Sequence, residues 1–436
     1  MTDTVIPQHP KAQVMDRRPK KKESPISSAI TPWLNSLPST LLDLLKQQTG
    51  TSTLDEAQQK LVESAPKRWV VYEPMVLLPS GSFASSPWPS FLASLNNSQK
   101  EDLWLSILDQ LSPPKAPLTH LATNEGIPLL KSSPQEDNNR TQQQENILRS
   151  PTGLHLLHGR FGSPTSTSST SFTSSLWVST KQNSLTQTWA PLHTMFSRGN
   201  IKEKARLLSF HSTIPLGSPP LHPHRYITPS ALKDSYAVDL YAGIGYFVFS
   251  YARLGLKVLC WELNPWSIEG LRRGALANKF TVRAITTPED LQKPTKELIA
   301  GAEEQIIAFQ EDNRHAARRI AELGEGGQKP KVRHVNCGFL PTSEPVWRDS
   351  FNILVQGFTS SSKPEGGWLH LHENVGVKDI EARKAQIQGL LDGWCSGRKD
   401  NTTLKANVEH VEMVKTFAPD VWHVVFDVYV SPSITN

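Results

Sequence analysis

SYAVDLYAGIGYFVFSYARLGLKVLCWELN, residues 235–264, decides the fold. It reads as a buried strand from Tyr236 to Leu240, a glycine turn at Ala242-Gly243-Ile244-Gly245, a helix from Tyr246 to Leu254, and a second strand from Lys257 to Trp261 that ends on Glu262. Apolar runs bounded by glycine and separated by a helix-length segment open a doubly wound parallel sheet. Ligands in such sheets sit beyond the carboxyl ends of the strands, where Gly243, Gly245 and Glu262 all fall. Glycine lets the backbone approach a nucleotide closely, and a carboxylate about twenty residues further on accepts ribose hydroxyls.

Two details choose among nucleotides. A dinucleotide fingerprint wants a third glycine after G-x-G-x-x, and this chain has Val248 there. Asp239 stands just before the turn, where a pyrophosphate would meet an unwanted negative charge. A carboxylate there suits a ligand with an ammonium group, and S-adenosyl-L-methionine carries one together with a ribose for Glu262. Asp239 is equally suited to ordering the turn by hydrogen bonds. An NAD-linked oxidoreductase is the competing enzyme class, and a glycine turn without a ligand is the plain structural alternative.

Outward from this stretch the pattern continues. Asn264-Pro265 reads as helix cap and first helical residue, with Ile268, Leu271 and Leu276 forming an apolar stripe. Further strands are expected at Gln305 to Phe309, Val332 to Leu340 and Gly366 to Val375, and a helix from Asp379 to Trp394. The apolar runs 410–418 and 421–430, joined at Pro419-Asp420, read as a hairpin. The fold class is thus α/β: a Rossmann-like class I S-adenosylmethionine-dependent transferase sheet with a C-terminal antiparallel hairpin, plus a smaller α+β N-terminal domain.

The 436 residues suit two folded parts with polar insertions. Residues 1–27 read as a basic disordered tail carrying Arg17, Arg18, Lys20, Lys21 and Lys22. Residues 28–220 read as an N-terminal region with low-complexity insertions, and 221–436 as the catalytic domain. Short helices are expected between Trp33 and Val62, and strand material at 68–78. The Gln/Asn-rich stretch 132–152 and the low-complexity stretch 163–175 read as surface insertions. His155, His158 and His193 lack metal-type spacing and read as structural.

A net charge of +5 permits a polyanionic partner without requiring one. Cys260, Cys337 and Cys395 are too dispersed for zinc and odd in number, which fits a reducing compartment; no metal is expected. No apolar run reaches the roughly 18 residues that span a bilayer, so the expected location is cytoplasmic.

Six segments in order, TQTWAPLHTMFSRGNIKEKAR (186–206), VDLYAGIGYF (238–247), ELNPWSIEGLRRGALAN (262–278), EDNR (311–314), VNCGFLPTSEPVW (335–347) and GGWLHLHENV (366–375), resemble the tRNA wybutosine-synthesising aminocarboxypropyltransferase family in its fungal-type form. The resemblance covers most of residues 175–436. It implies transfer of the 3-amino-3-carboxypropyl arm of S-adenosyl-L-methionine to a ring carbon of 4-demethylwyosine, beside the anticodon of tRNA(Phe), with release of 5′-methylthioadenosine. It further implies that Ser197 and Lys204 contact the cofactor, that Glu262 binds its ribose and that Asp312 and Asn313 hold the adenine. The resemblance adds to residues 28–220 the positioning of cofactor and tRNA. Arg198 is a candidate for orienting substrate.

The family resembles guanine-N1 tRNA methyltransferases, which are the nearest alternative; a catalytically silent RNA-binding module is another. Trp347, Trp368 and Tyr246 are candidates for stacking on the splayed-out target base. Arg272, Arg273, Arg314, Arg318 and Arg319 are candidates for meeting phosphates. The residues point to no dedicated general base, and oligomeric state is not legible.

Overall fold

The computed structural model describes residues 24–124, 130–133, 142–146, 151, 153–164, 171–211, 221–325, 329–358, 365–397 and 403–432. The basic cluster from Arg17 to Lys22, most of the Gln/Asn-rich stretch and the centre of the low-complexity stretch lie outside them.

Two compact units divide the chain: one holds residues up to Trp69 together with Gly81–Leu118, the other Val70–Ser80 and everything from Thr119. The first unit is helical: Pro25–Asn35, Ser39–Thr49, Leu54–Glu63, Trp88–Ser94 and Asn97–Leu111. Its helix starts are set locally. Thr53 and Glu56 form a capping box, as do Asn96 and Gln99, each satisfying two amides that the first helical turn leaves free. Trp33, Phe83, Trp88, Phe91 and Trp104 fill its core.

The second unit is built on an eight-stranded sheet. In chain order its strands are β1 (Tyr236–Asp239), β2 (Lys257–Trp261), β3 (Val282–Ile285), β4 (Ile306–Phe309), β5 (Val332–Cys337), β6 (Gly367–Gly376), β7 (Leu404–Ala418) and β8 (Val421–Pro432). Their order in space is β3-β4-β2-β1-β5-β6-β8-β7. Strands β1 to β6 are parallel, and β8 runs antiparallel between β6 and β7. Alternate residues feed two cores: Val238, Leu259 and Ile307 face one, and Ala237, Val258 and Ala308 face the other. Burial of both faces is why these strands read as unbroken apolar runs.

After β4 the chain returns to the other side of β1, so the direction of winding reverses there and opens the crevice where such sheets bind ligands. The four-residue edge strand β3 was not anticipated; Arg283 within it pairs with Glu304 at 2.9 Å. The helix Trp347–Gln356 was likewise not read from the sequence.

Three smaller sheets lie in the same unit among the described residues: Val70–Tyr72, Met75–Leu78, His120–Thr123 and His155–His158 form one, Leu130–Ser133 pairs with Gln142–Glu145, and Val178–Gln182 with Leu185–Trp189 form a hairpin. Leu185, Leu207 and Phe210 belong to the core beneath β1, while Val178 and Trp189 pack with Tyr72, Met75 and Ile244, so the stretch 178–211 joins the first small sheet to the large one. No helix among the described residues is long and apolar enough to cross a membrane.

Candidate ligand site at the glycine turn

The turn after β1 is held open by glycine. Gly243 and Gly245 adopt φ of 53° and 90°, in the region that favours glycine. A Cβ on Gly245 would lie 2.5 Å from the Phe249 ring, and one on Gly243 2.9 Å from that of Tyr246. Glu262, at the end of β2, ties the turn down: Oε2 accepts from the Gly243 amide at 2.9 Å and Oε1 from the Asn264 amide at 2.8 Å. Asn264 in turn caps the helix Pro265–Ala277, as anticipated, and donates its side-chain amide to the His193 carbonyl at 3.2 Å. Burial raises the Glu262 carboxyl above its ordinary value, opposed by the amides that donate to it.

Asp239 is fully buried at the end of β1. One carboxylate oxygen accepts from Asn336 on β5 and from the Tyr241 amide, each at 3.1 Å, while the other has no partner among the described residues. Burial pushes this carboxyl up to about 7. Beyond β4, Asn313 donates to the Leu240 carbonyl at 2.9 Å, which fixes the 311–314 loop against the turn. Asp312 grips its neighbour Arg314 through Nε at 3.0 Å and Nη2 at 2.8 Å; these bonds hold its carboxyl below the usual range.

The segment 195–204 reaches the same turn through Tyr246. Its hydroxyl donates to the Met195 carbonyl at 2.7 Å and accepts from the Ser197 amide at 3.0 Å. Lys204, on the helix Ile201–Leu208, is buried; its ammonium donates to Gln182 at 2.7 Å and to Gln187, and lies 5.1 Å and 5.4 Å from the Phe196 and Tyr246 ring centres. Burial, with Lys415 nearby, lowers the Lys204 ammonium to about 7. Gln187 also reaches the Gly245 carbonyl, at 3.4 Å.

All eight residues singled out as cofactor contacts therefore lie on one connected framework: Asp239, Gly243, Gly245, Glu262 and Asn313 by direct bonds to the turn, Asp312 beside Asn313, Ser197 through Tyr246, and Lys204 through Gln187. Gln182, Gln187 and Lys415 were missed. They come from a hairpin and from β7, and only the fold brings them near residues 197–204.

Two stacking candidates are corrected. Trp347 and Trp368 are fully buried in the sheet cores, so neither offers a face to a base; Tyr246 is partly exposed. Arg319 is likewise buried and bound to Glu311 and to the carbonyls of Leu291 and Lys293, which withdraws it from phosphate contact. Arg198 is exposed, and His193 stacks on Trp266 with ring centres 3.6 Å apart.

An S-adenosylmethionine-like ligand fits this residue set. Its amino-acid end needs a carboxylate and a cation, and the site has a buried carboxylate oxygen without a partner and an ammonium held only by neutral groups.

No family model matches the chain. It is similar to tRNA wybutosine-synthesizing protein 2 of Schizosaccharomyces pombe, with 34% identity over 83% of this chain and 72% of that protein. The Saccharomyces cerevisiae protein of the same name is 29% identical over 84% of this chain and 75% of its own length. Among solved structures, P. horikoshii TYW2 in complex with MeSAdo aligns over 94% of this chain and 100% of that one, with a TM-score of 0.51 and 16% identity, a likeness of fold.

Proposed function

The chain belongs to the tRNA wybutosine-synthesizing protein 2 family, and from that premise we propose that it transfers the 3-amino-3-carboxypropyl group of S-adenosyl-L-methionine to a ring carbon of 4-demethylwyosine in tRNA(Phe). It is a transferase that acts on tRNA, working in the cytoplasm. The observation that carries the reading is a complementary pair, a buried Asp239 oxygen before the turn and the Lys204 ammonium linked to that turn through Gln187, each without an opposite charge in contact among the described residues. Together they match the zwitterionic end of the co-substrate.

The sulfonium supplies the activation. A ring carbon of the base attacks the first carbon of the arm, the bond to sulfur breaks with its electron pair going to sulfur, and 5′-methylthioadenosine leaves. The ring carbon then loses its proton to restore the aromatic ring. The protein's task is position: whichever carbon is held in line with the nucleophile is the one transferred. Glu262 binds the ribose, Asp312 and Asn313 hold the adenine, and Gly243 and Gly245 let the backbone approach. Asp239 takes the ammonium, and Ser197 and Lys204 fix the arm. Residues 28–220 help place co-substrate and tRNA.

The test is incubation with S-adenosyl-L-methionine and tRNA from cells lacking the activity, followed by mass spectrometry of nucleosides and spent co-substrate. One aminocarboxypropyl unit gained together with methylthioadenosine is the expected result. One methyl gained with S-adenosylhomocysteine would make the protein a methyltransferase. Glu262→Ala is expected to weaken S-adenosyl-L-methionine binding in calorimetry while tRNA affinity stays unchanged; equal co-substrate affinity would remove Glu262 from the site.

A further inference from the structure

Lys415 lies on β7, in the C-terminal hairpin, more than two hundred residues from the segment it touches. Its ammonium donates to the Ser197 hydroxyl at 2.9 Å. Its stem runs against Gly199: a Cβ there would sit 2.6 Å from Lys415 Cδ and 3.2 Å from Nζ, so the glycine leaves the lysine its path. A neighbouring contact fixes the same junction, where Lys202 pairs with Glu412 at 2.6 Å and donates to the Met413 carbonyl at 2.7 Å.

Lys202 has its carboxylate; Lys415 does not. Among the described residues, Lys204 and Lys415 are both left without a carboxylate partner, although Lys204 is buried and Lys415 half-buried. Beyond burial, Lys415 is the charged neighbour that disfavours the Lys204 ammonium, and a fold keeps two such cations close when an anion relieves them. Tyr246 links Ser197 to Lys204: its hydroxyl holds the Ser197 amide at 3.0 Å, and its ring centre lies 5.4 Å from the Lys204 ammonium.

We propose that Lys415 is a positioning residue for the transferred arm, closing with Lys204 and Ser197 a three-point clamp on its carboxylate. This rests on the transfer reading above. Holding the carboxylate from β7 as well as from the helix fixes the arm at its far end, and the direction of the arm decides which carbon on sulfur meets the base. Ser197 gives the clamp a hydroxyl donor, and Lys415 and Lys204 supply charge from two elements that meet only in the folded protein.

The test uses the full chain and three ligands in calorimetry: S-adenosyl-L-methionine, its decarboxylated analogue, and 5′-methylthioadenosine, which has no arm. The wild type is expected to prefer S-adenosyl-L-methionine over the decarboxylated analogue. Lys415→Met keeps the apolar stem and is expected to weaken S-adenosyl-L-methionine by about tenfold, in the range of a charge-assisted bond, while leaving methylthioadenosine unchanged. The preference over the decarboxylated analogue should shrink by the same factor, and Lys415→Arg should restore part of it.

Unchanged affinities for all three ligands in a folded Lys415→Met protein would overturn the clamp. An equal loss for all three, methylthioadenosine included, would also overturn it, since that is the mark of a merely structural lysine. A wild type that binds no S-adenosyl-L-methionine would instead sink the transfer reading itself, a failure visible before any variant is made.

Discussion

Asp239 and Lys204 are an acid and a base that burial has pushed toward neutrality from opposite sides, each to about 7. For Asp239 the folded protein keeps its proton up to about pH 7, whereas the unfolded chain releases it from near pH 4. Stability is therefore lost as pH rises through that window, and the full penalty stands above it. Asp239→Asn should stabilise the fold at pH 8, on the order of 2–4 kcal/mol, by about 1–2 kcal/mol at pH 5, and have little effect below about pH 4; urea unfolding across this range checks this. The same variant should bind S-adenosyl-L-methionine more weakly, because the ammonium loses its partner.

Lys204 faces Lys415 as its charged neighbour, with Gln182, Gln187 and Tyr246 neutral around it. Above pH 7 it is largely neutral, so binding a carboxylate draws a proton in. Calorimetry at pH 8 in buffers of different ionisation enthalpy should detect uptake approaching about one proton per ligand, lost in Lys204→Met and replaced at pH 6 by net release as Asp239 ionises to meet the ammonium. Asp239 was legible from its place before the glycine turn, and Lys204 through resemblance. Their perturbed acidities were not, since they arise from burial and from a lysine on a distant strand.

The decisive element is the turn between β1 and the helix Val248–Arg253. Its two glycines are unequal. Gly245 has the more extended positive φ and faces the ring of Phe249, itself packed in the core; Gly243 lies near the left-handed basin, against the partly exposed Tyr246. Gly245→Ala should destabilise by about 2–3 kcal/mol and Gly243→Ala by about 1 kcal/mol. Denaturation midpoints with unchanged slopes would check the order. At this scale the sequence was informative where burial is two-sided: β2 matches its expected bounds, and the Asn264 cap is where the Asn-Pro pair put it. It was silent where an element is short and polar, as in β3, whose Arg283 and partial exposure hide the strand pattern.

Across the whole molecule, one ion network joins the helix Ile201–Leu208 to β8. Arg206 binds Glu203 through two bonds of 2.7 Å and Asp427 at 2.5 Å and 3.1 Å, all in the interior. Asp427 also ends a file of imidazoles: His211 to His334 at 2.9 Å, His334 to His370 at 2.9 Å, and His370 to Asp427 at 2.7 Å. Arg206→Met leaves two carboxylates buried without their cation and should cost about 3–5 kcal/mol in equilibrium unfolding. Adding Glu203→Gln and Asp427→Asn should recover part of that loss. From the sequence, Pro219-Pro220 looked like the start of the sheet domain, because prolines and serines resemble a linker. What composition does not carry is that residues 178–211 pack with the sheet, through Leu185, Leu207 and Phe210 below it and Arg206 across to Asp427.

The placement of β8 between β6 and β7 has a consequence for how the protein is made. Until residues 421–432 have emerged from the ribosome, β6 carries an unpaired edge of ten residues, and β7, which bears Lys415, has no strand to lie against. A nascent chain at that stage holds the glycine turn but not the completed clamp. Strand β8 thus covers the long edge of β6, leaves the edge to β7, and in the same event gives the enzyme its grip on the arm.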